Sequence, residues 1–540
     1  MKTIYYGGQV YTGEMPLREA FIEENGKFVF AGMSADALKM EEAGDKCINL
    51  QGKFVCAGFN DSHMHALSYG NSLRNAKLGE HTDSLEGMIL YFREFLETHP
   101  VKEGAFLIGR GWNQDYFSDA DRMPNRYDLD RVSGDIPVIA VRCCGHALVV
   151  NSKVIEMLGV TKDTVSPEGG SIGIENGEPD GRFFDNAMDQ VYDLVPAPGE
   201  EEILDMMKAA MKSLNGYGIT SCHSDDYGAF SGSDWRTVKR TFEKLEKSGE
   251  MTVRVYEQSN FTDIDSLRAF VEEGNTTGKG SDMFKTGPLK MLGDGALGAR
   301  TAYLTKPYAD APDTIGLGVF DQKTMDEMIG YAHKNGMQVA VHAIGDACLD
   351  SVLSAVGKAI KECPREDHRH GIVHCQITRP DQLDTIAEMN MHVYAQAIFI
   401  DYDSHIVYDR VGKALADASY NWKTLMKKGV TVSNGTDCPV ELPDALKCMQ
   451  MAVTRKSMDG IEYLPHEAFT VQEALDSYTK NSAHASFDET VKGQIAPGML
   501  ADFVILEKSP FDVNAEEIHR IRVLKTYVGG KNVFDADNQS

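Results

Sequence analysis

Two histidines one residue apart, His63 and His65 in Gly58-Phe59-Asn60-Asp61-Ser62-His63-Met64-His65, follow the short apolar run Phe54-Val55-Cys56-Ala57. At a strand end, side chains alternate with period two, so both imidazoles fall on one face. Neutral imidazole is the commonest protein ligand for zinc-like ions, and such a pair is half of a metal site. An H-x-H on its own is also an ordinary loop sequence. The metal reading therefore depends on what the rest of the chain brings to the same place.

Groups of ligand type recur where other apolar runs end. Gly218-Ile219-Thr220-Ser221-Cys222 reaches His223, Asp225 and Asp226; Leu289-Lys290-Met291-Leu292 leads to Asp294; Gln338-Val339-Ala340-Val341 ends at His342. Gly371-Ile372-Val373 ends at His374, and Val430-Thr431-Val432-Ser433 leads to Asp437. His63, His65, Lys290, His342, His374 and Asp437 can together hold one or two divalent ions, zinc being the expected one. Two neighbouring ions need an anionic bridge, and a lysine ammonium has no lone pair to offer. A lysine carbamylated by CO2 supplies a carboxylate. Lys290 sits in an apolar run where an unpaired charge is costly, so it wants either that modification or an acidic partner such as Asp294. A bound ion lowers the pKa of water towards about 7 and polarises a carbonyl. Asp437 would take the water's proton and pass it to a leaving nitrogen. The plainer role for Asp437 is closing a turn before Pro439.

These groups need a scaffold that gathers strand ends. Between the chain termini, apolar runs alternate with helical periods, as in Glu201–Asn215, where Ile203, Met206, Met207, Ala210, Met211 and Leu214 share one face. Adding Ile136–Arg142, which runs toward His146, and His392–Ala395, which leads to Gln396, gives eight strand-then-helix units. That predicts an α/β fold: a (β/α)8 TIM-like barrel with insertions, its active face at the C-terminal strand ends. The glycine-punctuated ends, residues 1–57 and 490–540, predict a small composite β-sandwich around a barrel at 58–489. The stretch from about 66 to 135 is too long for one connection and reads as an insertion. Trp112, among glycines there, is either a substrate-facing aromatic or core packing. His146, His223, Asp294 and Arg300 are further candidates at the mouth, Arg300 for a substrate carboxylate.

The 540 residues carry a net charge of -27, which argues against nucleic acid or an anionic membrane as partner. Ten scattered cysteines with no C-x-x-C pair, no signal-like start and no apolar run of about 20 residues predict a cytoplasmic protein with reduced thiols. The expected partner is a small molecule. Acidic barrel enzymes of this size are often homodimers, though no residue demonstrates one.

The motif Gly58–His65, Gly145-His146 with Asn151-Ser152, and Pro179-Asp180-Gly181-Arg182 carry a resemblance. So do Lys290…Asp294-Gly295…Arg300-Thr301-Ala302…Pro307-Tyr308, Val341-His342-Ala343-Ile344-Gly345-Asp346, His370…His374, Gly435-Thr436-Asp437-Cys438-Pro439 and Gly493…Pro497-Gly498…Ala501-Asp502-Phe503-Val504. Together, over nearly the whole chain, they resemble the amidohydrolase superfamily, in the branch (amidohydrolase family 3) that includes N-substituted formamide deformylase and YtcJ-type proteins. The resemblance implies a metal-dependent hydrolase of C–N bonds other than peptide bonds: amide, formamide or carbamate. It implies that His63, His65 and Asp437 bind the more buried ion, His342 and His374 the second, with Lys290 bridging. Asp185 stands where similar proteins often carry Glu. Deamination or cyclic-amide hydrolysis on the same fold is the alternative reaction, and a non-catalytic regulatory protein on this scaffold is the alternative class.

Overall fold

Eight parallel strands form one sheet in sequence order: β1 (Phe59–Met64), β2 (Ile219–Ser224), β3 (Arg254–Asn260), β4 (Phe284–Leu292), β5 (Val339–Ala343), β6 (Gly371–His374), β7 (His392–Ala395) and β8 (Val432–Asn434). Just past β8 the chain returns to β1. The Asp437 N–H donates to His63 O at 2.9 Å and the His65 N–H to Cys438 O at 2.7 Å, closing the barrel at its C-terminal mouth. This computed structural model describes residues 1–81, 83–102, 104–143, 147–167, 170–230, 232 and 234–538. They divide into two compact units. One is made of Met1–Gly70, Ile203–Ala229 and the chain from Asp234 onward; the other is built chiefly from Asn71–Glu202. Among the described residues no helix is long and apolar enough to cross a membrane.

One of the eight expected strands is replaced. Ile136–Arg142 was expected in the barrel, but Val138–Arg142 is a central strand of a separate six-stranded sheet in the second unit. Val138 and Ala140 face one hydrophobic cluster with Met88, Phe92 and Leu107, while Ile139 and Val141 face another with Val154, Phe183 and Val191. Covered on both faces, the strand reads as a continuous apolar run, like a barrel strand. The inserted unit therefore extends to Glu202, well beyond the expected boundary near 135. The true third barrel strand, Arg-Val-Tyr-Glu-Gln-Ser-Asn at 254–260, escaped notice because Glu257, Gln258 and Ser259 are polar yet wholly buried.

The two chain ends meet in paired sheets. Lys27–Gly32, Ala20–Glu24, Lys2–Tyr6 and Lys46–Asn49 form four strands; Gln9–Val10, Phe54–Ala57, Phe503–Leu506, Val523–Val528 and Lys531–Asp535 form five. Tyr5 stacks on Phe21 with ring centroids 4.6 Å apart and Phe503 on Tyr527 at 4.3 Å, within one buried cluster that also holds Val55 and Ile505. Phe54–Ala57 passes straight into β1 through Gly58, whose N–H donates to Asp502 O at 3.0 Å. A Cβ at Gly58 would lie 2.2 Å from the Thr220 side chain, so only glycine fits this junction. Beside it, Arg254 at the start of β3 grips Asp502 with two buried bonds, Nε to Oδ2 at 2.6 Å and Nη2 to Oδ1 at 2.9 Å. Removing one partner of a buried pair strands the other charge. Asp502→Ala is expected to lower unfolding free energy by about 3–5 kcal/mol, read by urea denaturation. An unchanged midpoint would refute the anchoring role.

A histidine chain at the opposite end of β5 and β6 is fixed in its tautomers by backbone groups. The Val339 N–H donates to His370 Nδ1 at 3.0 Å, so His370 Nε2–H donates to His333 Nδ1 at 2.8 Å and His333 Nε2–H to Cys363 O at 2.6 Å. Burial holds the His370 pKa well below 6.5. The unfolded chain then binds a proton below pH 6.5 that the folded chain refuses, so this contribution is full above 6.5 and is lost as pH falls. Buried carboxylates titrate in the opposite sense but cancel in a comparison with His370→Gln. The stability advantage of the native protein over that variant is expected to shrink by about 1.4 kcal/mol per pH unit below 6.5. A pH-independent difference between pH 7.5 and 5.5 would contradict the locked chain.

Candidate metal centre

Six side chains singled out above come from the C-terminal ends of β1, β4, β5, β6 and the turn after β8. The structure draws His63, His65 and Asp437 around one oxygen: Asp437 Oδ1 lies 3.2 Å from His63 Nε2 and 3.1 Å from His65 Nε2. One ligand atom each from His63, His374 and Asp437 fall within 4.8 Å of one another, all three residues being buried. His342 stands next to His374, ring centroids 4.4 Å apart, and the His63 ring lies 5.7 Å from that of His374. Lys290 is wholly buried in the same mouth. His374 and Asp437 adopt left-handed backbone, φ 75° and 57°, unusual for residues with a Cβ and a recurrent feature of functional turns.

What orients the imidazoles decides whether a cation fits. His63 Nδ1 lies 2.7 Å from Gln258 Oε1, while Gln258 Nε2 donates to Ser62 O at 3.2 Å, which fixes the amide's direction. His65 Nδ1 lies 3.3 Å from the Asp225 carbonyl oxygen. Both Nδ1 atoms face acceptors, so both carry the proton and both Nε2 atoms turn a lone pair toward a carboxylate oxygen. Three lone pairs converging at this distance repel unless a proton or a metal ion lies among them. The buried Nδ1 of His374 has no hydrogen-bond partner. The donor set, two or three imidazoles and a carboxylate, suits zinc or a similar ion.

Titration behaviour agrees. Burial, reinforced by the Lys290 charge, drives His63 down to about 4. Burial and neighbouring His342 drive His374 well below its ordinary value. Both are thus neutral, as ligands must be. Burial opposes a charge on Asp437, yet His63 and His65 outweigh it and hold the carboxyl well below its usual range. For His65, burial opposes the proton but Asp437 prevails and raises the pKa. The pair wants one positive charge between them.

Missing from the sequence reading were the supports on β3, and the supporting role of Asp225 and Asp226 just past β2. Asp225 Oδ2 takes Lys290 Nζ at 3.2 Å and Asn260 Nδ2 at 3.2 Å. Glu257 Oε1 accepts from the Asp226 N–H at 3.0 Å, and Asp226 Oδ1 from the Leu67 N–H at 2.8 Å, which steadies the turn after His65. Their signal was a run of buried-type polar residues, Glu257-Gln258-Ser259-Asn260, at strand length. Asp61 joins the two ends of the barrel, accepting from Thr436 Oγ1 at 2.6 Å and the His63 N–H at 3.2 Å.

The other predicted positions resolve as follows. Lys290 pairs with Asp225, not Asp294. Asp294 accepts the N–H groups of Gly345 at 2.7 Å, Tyr303 at 2.9 Å and Ile344 at 3.0 Å, and its Oδ1 lies 3.3 Å from His342 Nε2, so it braces loops and His342 instead of facing substrate. Arg300 holds Asp310 through Nε at 3.1 Å and Nη2 at 2.8 Å. His223 is wholly buried inside the barrel, its ring 5.0 Å from that of Tyr256. Trp112 takes the packing role: it is fully buried in the second unit's core and its indole N–H donates to Ala140 O at 3.0 Å. Asp185 ends the strand Glu178–Asp185 of that unit, exposed and with φ 49°. His146 lies outside the described residues.

Comparison with known proteins places this architecture. The model of a family described as the amidohydrolase family matches residues 46–534. The chain is 33% identical to the putative amidohydrolase YtcJ of Bacillus subtilis (strain 168), over 99% of this chain and 100% of that one. It is 22% identical to the N-substituted formamide deformylase of Arthrobacter pascens, covering 95% of this chain and 94% of the relative. Among solved structures, an uncharacterized metal-dependent hydrolase from Pyrococcus furiosus superposes with a TM-score of 0.79 at 28% identity, covering 95% of this chain and 100% of that one. The barrel, the strand-end ligands and a match running from the terminal strands through the whole barrel make this chain a member of the amidohydrolase family.

Proposed function

We propose that this chain is a metal-dependent hydrolase cleaving a non-peptide C–N bond in an amide, formamide or carbamate. The convergence of His63, His65, His374 and Asp437 at the barrel mouth, with two Nε2 lone pairs aimed at one carboxylate oxygen, is the observation that supports it most. His63, His65, His374, Asp437 and the neighbouring His342 would hold one or two divalent ions, zinc by donor chemistry. An ion held there lowers the pKa of water to about 7 and polarises the carbonyl under attack. The protein's own part is proton traffic. The Asp437 side chain keeps 10% of its surface open against 1% for His63, so its carboxylate can take a proton from water and deliver it to the leaving nitrogen. His65, 26% exposed, stands on the open side of the pair.

Lys290 distinguishes two versions of the site. As a carbamate it would bridge two ions. As an ammonium it is the Asp225 ion pair beside a single ion, and its charge helps keep His63 and His374 neutral. Elemental analysis of protein purified without chelator, with Lys290→Ala in parallel, separates them: close to two ions falling in the variant, or close to one unchanged.

His63→Ala is expected to lose both metal and turnover; full activity without retained metal would overturn the assignment. Dialysis against a chelator should abolish hydrolysis and added Zn2+ restore it. Gln258→Leu removes the acceptor that fixes the His63 tautomer and should weaken metal affinity or activity about 10–100-fold, read by competition with a metal indicator dye. Unaltered affinity would mean that Gln258 only fills space. Ammonia release without a carboxylic acid product would indicate deamination, and a fully loaded protein inert to a broad amide panel would point to the regulatory class.

A further inference from the structure

We infer that the barrel mouth selects substrates with a large uncharged apolar substituent, held by a wall of Leu292, Val319, Phe399, Tyr402, Val440 and Leu442; the inference rests on the amide-hydrolase reading of the same site. Large apolar side chains left open at a site normally mark a binding surface. Leu292, Val319, Tyr402, Val440 and Leu442 are each between 41% and 67% exposed. They are continuous with the metal centre. Leu292 is two residues beyond Lys290 on β4, hence on the same face, and pairs in register with His342. Phe399 stacks on the His374 ring with centroids 5.8 Å apart. The Val440 N–H donates to Asp437 O at 2.9 Å.

The segments that carry the wall are also braced to one another. The Val319 N–H donates to Gly293 O at 2.9 Å, which folds the loop after β4 back beside Leu292. A Cβ on Gly298 of that loop would meet the Tyr402 ring at 3.7 Å. Asp401, next to Tyr402, accepts the Met458 N–H at 2.7 Å and Lys447 Nζ at 2.8 Å, which ties the segment after β7 to the helix Ala445–Thr454 and the turn beyond it. Asp310 is held by both Arg300 and Arg410, fastening the loops after β4 and β7 together. That bridge occupies the cation singled out for a substrate carboxylate. The segments at the mouth are thus braced, and with Glu441 between Val440 and Leu442 and Arg300 held by Asp310, an acidic substituent loses the partner Arg300 would have offered.

Titration calorimetry of the metal-loaded protein with N-alkylacetamides from methyl to hexyl tests this independently of turnover. Affinity is expected to rise about three- to fourfold per methylene, the value for burying a CH2 group. N-(5-carboxypentyl)acetamide should bind no more tightly than the methyl compound. Tyr402→Ser and Val440→Ser, both at exposed positions, should flatten the series while metal per chain stays at the native value. A flat series with the native protein, tighter binding of the carboxylated compound, or full slopes in both variants would overturn the inference. A steep series without hydrolysis would instead keep the apolar wall and retire the amide-cleaving reading.

Discussion

The contact on which this structure turns is Asp437 Oδ1 against two imidazole lone pairs. Left alone it is repulsive, because a carboxylate and two neutral Nε2 atoms are all acceptors. The fold nevertheless holds them 3.1 and 3.2 Å apart, with His63 almost fully buried. The rest of the barrel mouth reads as the means of keeping that arrangement until a cation resolves it. The backbone bonds between His63, His65 and the turn at Asp437–Cys438 are short, and Asp61 clamps Thr436 from below. The backbone that carries both imidazoles and the backbone that carries the carboxylate are tied together by the seam that closes the barrel. Site geometry and barrel closure are therefore one constraint.

The tautomers are as consequential as the positions. An imidazole that faced its neighbour with Nε2–H would simply donate to Asp437 and satisfy it, leaving no site. Gln258 and the Asp225 carbonyl prevent this by offering acceptors to Nδ1 on the far side of each ring. Gln258 is itself oriented by Ser62 O, on the strand that carries His63. Strand β3 thus spends its inward positions on Gln258 and Asn260, and its neighbouring Glu257 on the bond to the Asp226 N–H, in place of aliphatic filler. A strand built to orient ligands cannot also be a continuous apolar run.

That trade explains what the sequence made legible. The ligand pairs were readable because period-two spacing and strand-end placement follow from backbone geometry alone, and the alternation of strands and helices sufficed for the barrel. The third strand was not readable, since hydrophobic patterning sees burial only where burial is apolar, and Glu257-Gln258-Ser259-Asn260 is buried through hydrogen bonds. The same blindness promoted Val138–Arg142, whose two apolar faces serve another sheet. Trp112 stayed open between two roles for a related reason: its glycine neighbours say nothing of burial by themselves, and Gly109 and Gly111 in fact allow close approach around a packed strand. Lys290 was rightly seen to need a partner, but pattern cannot say which acid a three-dimensional neighbour supplies.

Family membership carries the metal centre much further than it carries the substrate. The candidate ligands sit on strand ends whose positions are fixed by barrel closure. The apolar wall sits on the loops after β4, β7 and β8, and those loops are held to one another by ion bridges such as Arg300–Asp310–Arg410, not by the barrel ladder. Loop residues can change without disturbing the ligands, which is how one barrel comes to serve many reactions. A likeness spanning the whole chain therefore identifies the chemistry available at the mouth. Which bond is presented to it depends on the shape and polarity of those three loops, which in this chain are braced and carry exposed apolar side chains.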